Sequence, residues 1–176
     1  MRGCVLILLV FFGGPARSAF AASPDEGGTV VLPPILQATL FRKIFAYNRK
    51  LPPIPRILVV YANEFAPMAE ELRKQMDKLD FRSETTNLAD FSPRVKGVDV
   101  VYVLAAATPP VVRAFCLKEQ IFSVSPIPSL AERGEVSVGI GLREDHKTEI
   151  IVHLGRSRQE GQELTMALLS LSRVVR

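Results

Sequence analysis

The chain has 176 residues, with 22 basic and 18 acidic side chains and a net charge of +4. That length suits one domain built on a single core and is short for two. A charge balance this even, with no basic stripe carrying interleaved aromatics, argues against a nucleic-acid partner.

The first 22 residues set the expected location. Arg2 gives a positive start, Cys4 to Phe12 is an unbroken apolar run, and Gly13-Gly14-Pro15 ends it. Small residues in an A-x-A arrangement follow at Ala19 to Ala22, which is the layout of a secretory signal peptide. A run this short falls well under the roughly 20 residues of a spanning helix, so residues 1–22 are expected to be cleaved without stable membrane insertion. The mature protein is then expected in the periplasm, or otherwise secreted. ATP-driven chemistry and nicotinamide redox chemistry become poor expectations there. Arg2 and Arg17 leave with the leader, and the mature charge is closer still to balance. Cys4 leaves as well, so Cys116 stands alone and no internal disulfide is expected. Its apolar helical setting predicts a small buried side chain rather than a reactive thiol.

Residues 23–31 are polar and Gly-rich and read as a flexible mature N-terminus, followed by one domain over 32–176. Pro33-Pro34 opens a helix whose apolar positions Leu36, Leu40, Phe41, Ile44, Phe45 and Tyr47 recur at helical spacing. Pro52, Pro53 and Pro55 end it. Ile57 to Tyr61 is an all-apolar run suited to a strand buried on both faces. Ala66 to Leu79 reads as a helix, and Phe81 to Thr86 as an edge strand. Val98 to Leu104 is a second buried strand, Val111 to Glu119 a helix, and Ile121 to Ser125 a third strand. A turn at Ser125 to Ser129 leads into a short helical piece ending near Gly134. Val136 to Leu142 and Thr148 to Leu154 read as an antiparallel pair joined around Arg143-Glu144-Asp145-His146. Gln162 to Val175 reads as a closing amphipathic helix with Leu164, Leu168, Leu171 and Val175 on one face. Arg156, Arg158, Arg173 and Arg176, offset by Glu160 and Glu163, are expected on a solvated face. This alternation of strands and helices forces crossovers. The fold class is therefore α/β, a largely parallel twisted sheet flanked by helices, with an antiparallel strand pair near the C-terminus.

No residue pattern spells out a catalytic site, so no enzyme activity, cofactor or metal is expected. His146 sits in a polar turn, and His153 near a strand end reads as a hydrogen-bonded sheet histidine. Ser123 and Ser125 lack the flanking glycines of a nucleophile elbow. They do fall around the C-terminal end of a buried strand, the edge where open α/β sheets bind ligands. Asn63, Thr108, Ser123, Ser125 and His153 are therefore the candidate ligand edge. Gly139 and Gly141 do not stand between a strand and a helix as in a phosphate-binding turn, and predict a close backbone approach or a bulge instead.

Phe122-Ser123-Val124-Ser125, Ala131 to Glu135, Ile150-Ile151-Val152-His153 and Ala167 to Val174 resemble the C-terminal half of the YfiR family, periplasmic proteins also catalogued under a domain of unknown function. Ala38 to Arg49 resembles the family's opening helix and Val98 to Val103 its central strand. The chain departs from the family at His153, where asparagine is frequent, and at Arg133-Gly134, where a Gly-Gly pair is frequent. Some members carry paired cysteines that allow redox control, and Cys116 alone does not. The resemblance implies a non-enzymatic periplasmic regulator. Its implied partner is the extracytoplasmic sensor portion of a membrane signalling protein, a diguanylate cyclase or a kinase, with a second copy of the chain as a further partner. The partner surface expected under that reading is the first mature helix, if Phe41, Phe45 and Tyr47 are exposed rather than core. The alternative is a small periplasmic solute-binding module. It predicts a polar cleft near Asn63, Ala106 to Thr108 and Ser125, although one domain lacks a second lobe to close over a solute.

Overall fold

The computed structural model describes residues 31–143 and 147–176. The expected leader, the Gly-rich segment up to Val30, and Glu144, Asp145 and His146 lie outside them.

Helix α1 (Pro34–Ala46) begins where prolines need no intrahelical donor. Strand β1 (Arg56–Tyr61), helix α2 (Ala66–Asp77) and strand β2 (Arg82–Asn87) follow. Next come β3 (Val100–Leu104), α3 (Pro110–Glu119), β4 (Phe122–Ser125) and the short α4 (Pro128–Glu132). The chain ends with β5 (Val138–Leu142), β6 (Thr148–His153), α5 (Leu154–Gln159), α6 (Met166–Ser170) and β7 (Arg173–Val175). The strands form one seven-stranded sheet in the order β2-β1-β3-β4-β5-β6-β7. Only β5 and β6 pair antiparallel. The expected α/β class, with β2 at an edge, is what the chain adopts.

Alternate side chains of the central strands point to opposite faces. On one face Ile57, Val59, Tyr102, Phe122 and Val124 pack with α1 and α2. On the other, Leu58, Val60, Val101 and Val103 pack with α3 and α4. The first face carries one buried polar link. The Tyr102 hydroxyl donates to Gln37 Oε1 at 2.5 Å, and Gln37 Nε2 donates to the Leu32 carbonyl, so α1 is tied to the middle of the sheet. The glycines of β5 do mark a close approach. A Cβ on Gly141 would lie 2.2 Å from Pro128 Cγ, so α4 seats directly on that strand.

The C-terminal segment departs from expectation. No single helix runs from Gln162 to Val175: α5 ends before Gly161 (φ +68°), α6 is short, and Arg173 to Val175 pair with β6 in parallel. The Leu164-Leu168-Leu171 spacing fits a helix, but only Leu168 of the three is buried. The outer edge of β6 offers unpaired backbone groups, and the β-branched pair Val174-Val175 satisfies them better as a strand than as the last turn of a helix.

Candidate ligand-binding edge

The connection from β1 leads outward to β2, whereas β3, β4 and β5 lie on its other side. The strand order therefore reverses between β1 and β3, and the loops leaving those two strands diverge. Open α/β sheets bind ligands in the crevice such a divergence leaves at the carboxyl ends of the strands. Asn63 follows β1 here, Asn87 ends β2, and Ala106 to Thr108 join β3 to α3.

Two separate polar clusters stand here. Asn87 Nδ2 donates to Asn63 Oδ1 at 2.5 Å and fixes the amide of an exposed residue. Glu135 Oε2 accepts from the Thr108 backbone N–H at 2.6 Å, and its Oε1 accepts from Arg133 Nε at 2.6 Å. Arg133 Nη2 also donates to the Ala106 carbonyl at 3.2 Å. Desolvation pushes the Glu135 carboxyl up, but the Thr108 N–H and the Arg133 and Arg113 charges outweigh it and hold it below its ordinary value. The edge thus carries a fixed carboxylate beside the start of α3. Thr108 Oγ1 is buried and has no hydrogen-bond partner among the described residues.

Of the five side chains expected at this edge, the fold brings two together there, Asn63 and Thr108. Ser125 ends β4 at the same level but is buried: its Oγ donates to the Val103 carbonyl at 2.8 Å and accepts from the Ile127 N–H at 3.1 Å. Ser123 is also buried and turns inward to Glu160. His153 does not reach Asn63 or Thr108: β6 runs antiparallel, so its end pairs with the start of β5, and its ring lies against Gly134. There it behaves as the expected hydrogen-bonded histidine. Its Nδ1 accepts from the Arg156 N–H at 3.0 Å and caps α5, which settles Nδ1 as the acceptor nitrogen.

The aromatic partner surface does not form on α1. Phe41 and Phe45 lie in the core, where Phe41 meets Tyr102 edge-on at 4.9 Å and Phe45 meets Phe81 edge-on at 5.8 Å. Burying these large rings against the sheet outweighs any exposed role. Of the three, only Tyr47 reaches solvent, at 37% exposure.

The solvated face expected around Arg156 and Glu160 is also corrected. Arg156 is 5% exposed and Glu160 is 0% exposed, packed beneath α3. Glu160 accepts from Arg156 Nε at 2.7 Å, Ser123 Oγ at 2.6 Å, the Ser123 N–H at 2.9 Å and Ser137 Oγ at 2.5 Å. Arg156 Nη2 donates to the Arg113 carbonyl at 3.1 Å. Sequence reading missed Glu135, Ser137 and Asn87, and misplaced Arg156 and Glu160. The one signal available was the four-residue spacing of Arg156 and Glu160, which fits an exposed helical pair equally well.

The described hollows lie elsewhere, several of them at the opposite edge of the sheet. One of about 530 Å³ lies between Phe45 on α1, the Leu51 to Ile54 segment and Phe81. Among the described residues no three metal-binding side chains gather, and no helix is long and apolar enough to cross a membrane.

No family model matches the chain, and no curated protein does. Solved structures share its fold. An ABC domain from Streptococcus pneumonia, in complex with L-Trp, superposes with a TM-score of 0.60 at 12% identity, over 81% of this chain and 60% of that one. A conserved domain protein from Vibrio cholerae O1 biovar El Tor gives a TM-score of 0.59 at 14% identity, over 82% and 60% respectively. The chain thus spans about three-fifths of the length of these structures.

Proposed function

We propose that the chain is a non-enzymatic extracytoplasmic binding domain that takes a small polar solute at the diverging ends of β1 and β3. The observation that carries this reading is the reversal of strand order at that place, with the Asn63–Asn87 and Glu135–Thr108 hydrogen bonds on the loops beside it. The amide of Asn63, fixed by Asn87, and the hydroxyl of Thr108, unpartnered among the described residues, suit a ligand rich in hydrogen-bonding groups. The L-Trp held by a protein of similar fold is a solute of this kind. A ligand that binds only the folded state raises its melting temperature, so a panel of amino acids and related amines in a thermal-shift screen tests the reading. A rise that is lost in Asn63→Ala and Glu135→Gln supports it. A panel without effect on the folded protein removes it.

A second reading follows the sequence resemblance to the YfiR family: a regulator that binds the sensor portion of a membrane signalling protein and stabilises one of its conformations. An exposed apolar surface near the C-terminus favours it. Met166 is 77% exposed and Leu171 67%, beside Val174 on edge strand β7. Crosslinking of the tagged protein in intact cell envelopes tests this. Recovery of an inner-membrane cyclase or kinase supports it, and loss of that capture in Met166→Asp with Leu171→Asp assigns the surface.

A further inference from the structure

We infer a second ligand site at the opposite edge of the sheet, a hollow of about 360 Å³ between the end of α1 and the α5–α6 segment, that takes a small amphiphilic carboxylate. Two arginines carry the inference. Arg49 and Arg158 both line the hollow, both are exposed, and neither side chain has an ion pair or hydrogen bond among the described residues. Their chain positions are set by packing. The Arg49 N–H donates to the Glu163 carbonyl at 3.0 Å, and the Thr165 N–H donates to the Tyr47 carbonyl at 2.9 Å, so the two segments are stitched together across the hollow. Gln162 anchors the same place from below: its Oε1 accepts from Asn48 Nδ2 at 2.9 Å.

The apolar part of the lining is Leu154, Leu164 and Leu169, partly buried, with the exposed Met166, beside the polar Ser157, Gln162 and Thr165. The one acidic side chain there, Glu163, is already paired to Lys50 at 3.0 Å and leaves the arginine charges uncompensated. Two unpaired guanidinium groups in one hollow with a partly buried apolar floor of leucines, in a volume within the usual range of small-molecule sites, select an anion that carries a short hydrocarbon tail. Arginine matches a carboxylate with two parallel hydrogen bonds, and the tail gains from leaving water on the leucines. This site shares no residue with the edge at β1 and β3, so either can fail alone.

The probe is octanoate, titrated into the purified full chain at low ionic strength, with 1-octanol and inorganic phosphate as comparisons. Binding is read by backbone amide shifts at Ser157 and Thr165 and by the melting temperature. The expected result is saturable octanoate binding that Arg49→Ala with Arg158→Ala weakens at least about tenfold, with 1-octanol and phosphate each much weaker. Both side chains are exposed and unpaired, so the double variant is expected to melt with the parent, and amide spectra check that it is folded. No shift at these amides with octanoate overturns the site. Equal binding of 1-octanol overturns the role of the arginines, and equal binding of phosphate overturns the role of the apolar floor.

Discussion

Arg156 and Glu160 stand one helical turn apart, and both are buried, with Nε 2.7 Å from Oε1. The pair joins α5 to the middle of the sheet through Ser123 and Ser137 and to α3 through the Arg113 carbonyl. An ion pair removed from water holds only if its remaining hydrogen-bonding capacity is filled, and here the serines fill it. Glu160→Ala leaves the guanidinium buried without its counter-charge. The expected loss is about 3–5 kcal/mol, read from urea denaturation. Arg156→Met with Glu160→Leu is expected to cost clearly less, because it removes both charges together.

The same carboxyl gives stability a pH dependence. Burial pushes Glu160 above its ordinary value of 4.5, against the opposing pull of Arg156 and the two serines. The folded state then holds this proton more tightly than the unfolded chain. Its contribution is full below pH 4.5 and fades as pH rises through the elevated folded value. Glu160→Gln cannot titrate. The difference in unfolding free energy between parent and Glu160→Gln is therefore expected to move against the parent as pH rises from 4.5. A difference that is flat with pH in paired urea melts overturns this.

Cys116 lies within α3, buried beside that ion pair. Burial pushes its thiol well above the ordinary value, and the Glu160 charge adds to the effect. A thiol that does not ionise is a poor nucleophile. Cys116 in the folded protein is expected to resist maleimide at pH 8 and to react at the rate of a free cysteine in denaturant, read at its own peptide by mass spectrometry. Fast labelling under native conditions contradicts the buried position.

Phe41 and Tyr47 separate core from surface on one short stretch of chain. Phe41→Ala opens a cavity against Tyr102 and Phe45 and is expected to cost about 3–5 kcal/mol. Tyr47→Ala, at a partly exposed ring, is expected within about 1 kcal/mol of the parent. Chemical denaturation of the two variants measures the contrast. Equal values place both rings in one environment and contradict the fold.

Gly134 packs directly against the ring of His153. Gly134 has φ +67°, and a Cβ there would meet His153 Nε2 at 2.7 Å. Gly134→Ala is expected to cost about 1–3 kcal/mol, from the left-handed backbone and the displaced ring. Adding His153→Asn relieves the contact but not the backbone strain, so the double variant is expected to recover part of the loss. Full recovery, or none, in a double-mutant cycle overturns this assignment.

The order of elements as far as β6 was legible in the sequence, because apolar runs such as Ile57 to Tyr61 and proline punctuation at Pro33, Pro52 and Pro109 act locally. The edge position of β2, the antiparallel β5–β6 pair and the close approach at Gly141 were legible for the same reason. So was part of the candidate site: Asn63 and Thr108 follow strand ends, and strand ends can be counted along a chain. What only the tertiary structure decided was partnership. Ser123 and Asn63 are both polar residues near strand ends, yet one points into a buried ion pair and the other into solvent. Arg156 and Glu160 have the spacing of an exposed helical pair, and the packing of α5 beneath α3 buries them. Leu164 to Val175 has the period of a helix, and the open edge of β6 takes its last residues as a strand. Periodicity records which side of an element is apolar. Which other element covers that side, and which backbone edge is left unpaired, depends on contacts between residues far apart in the chain.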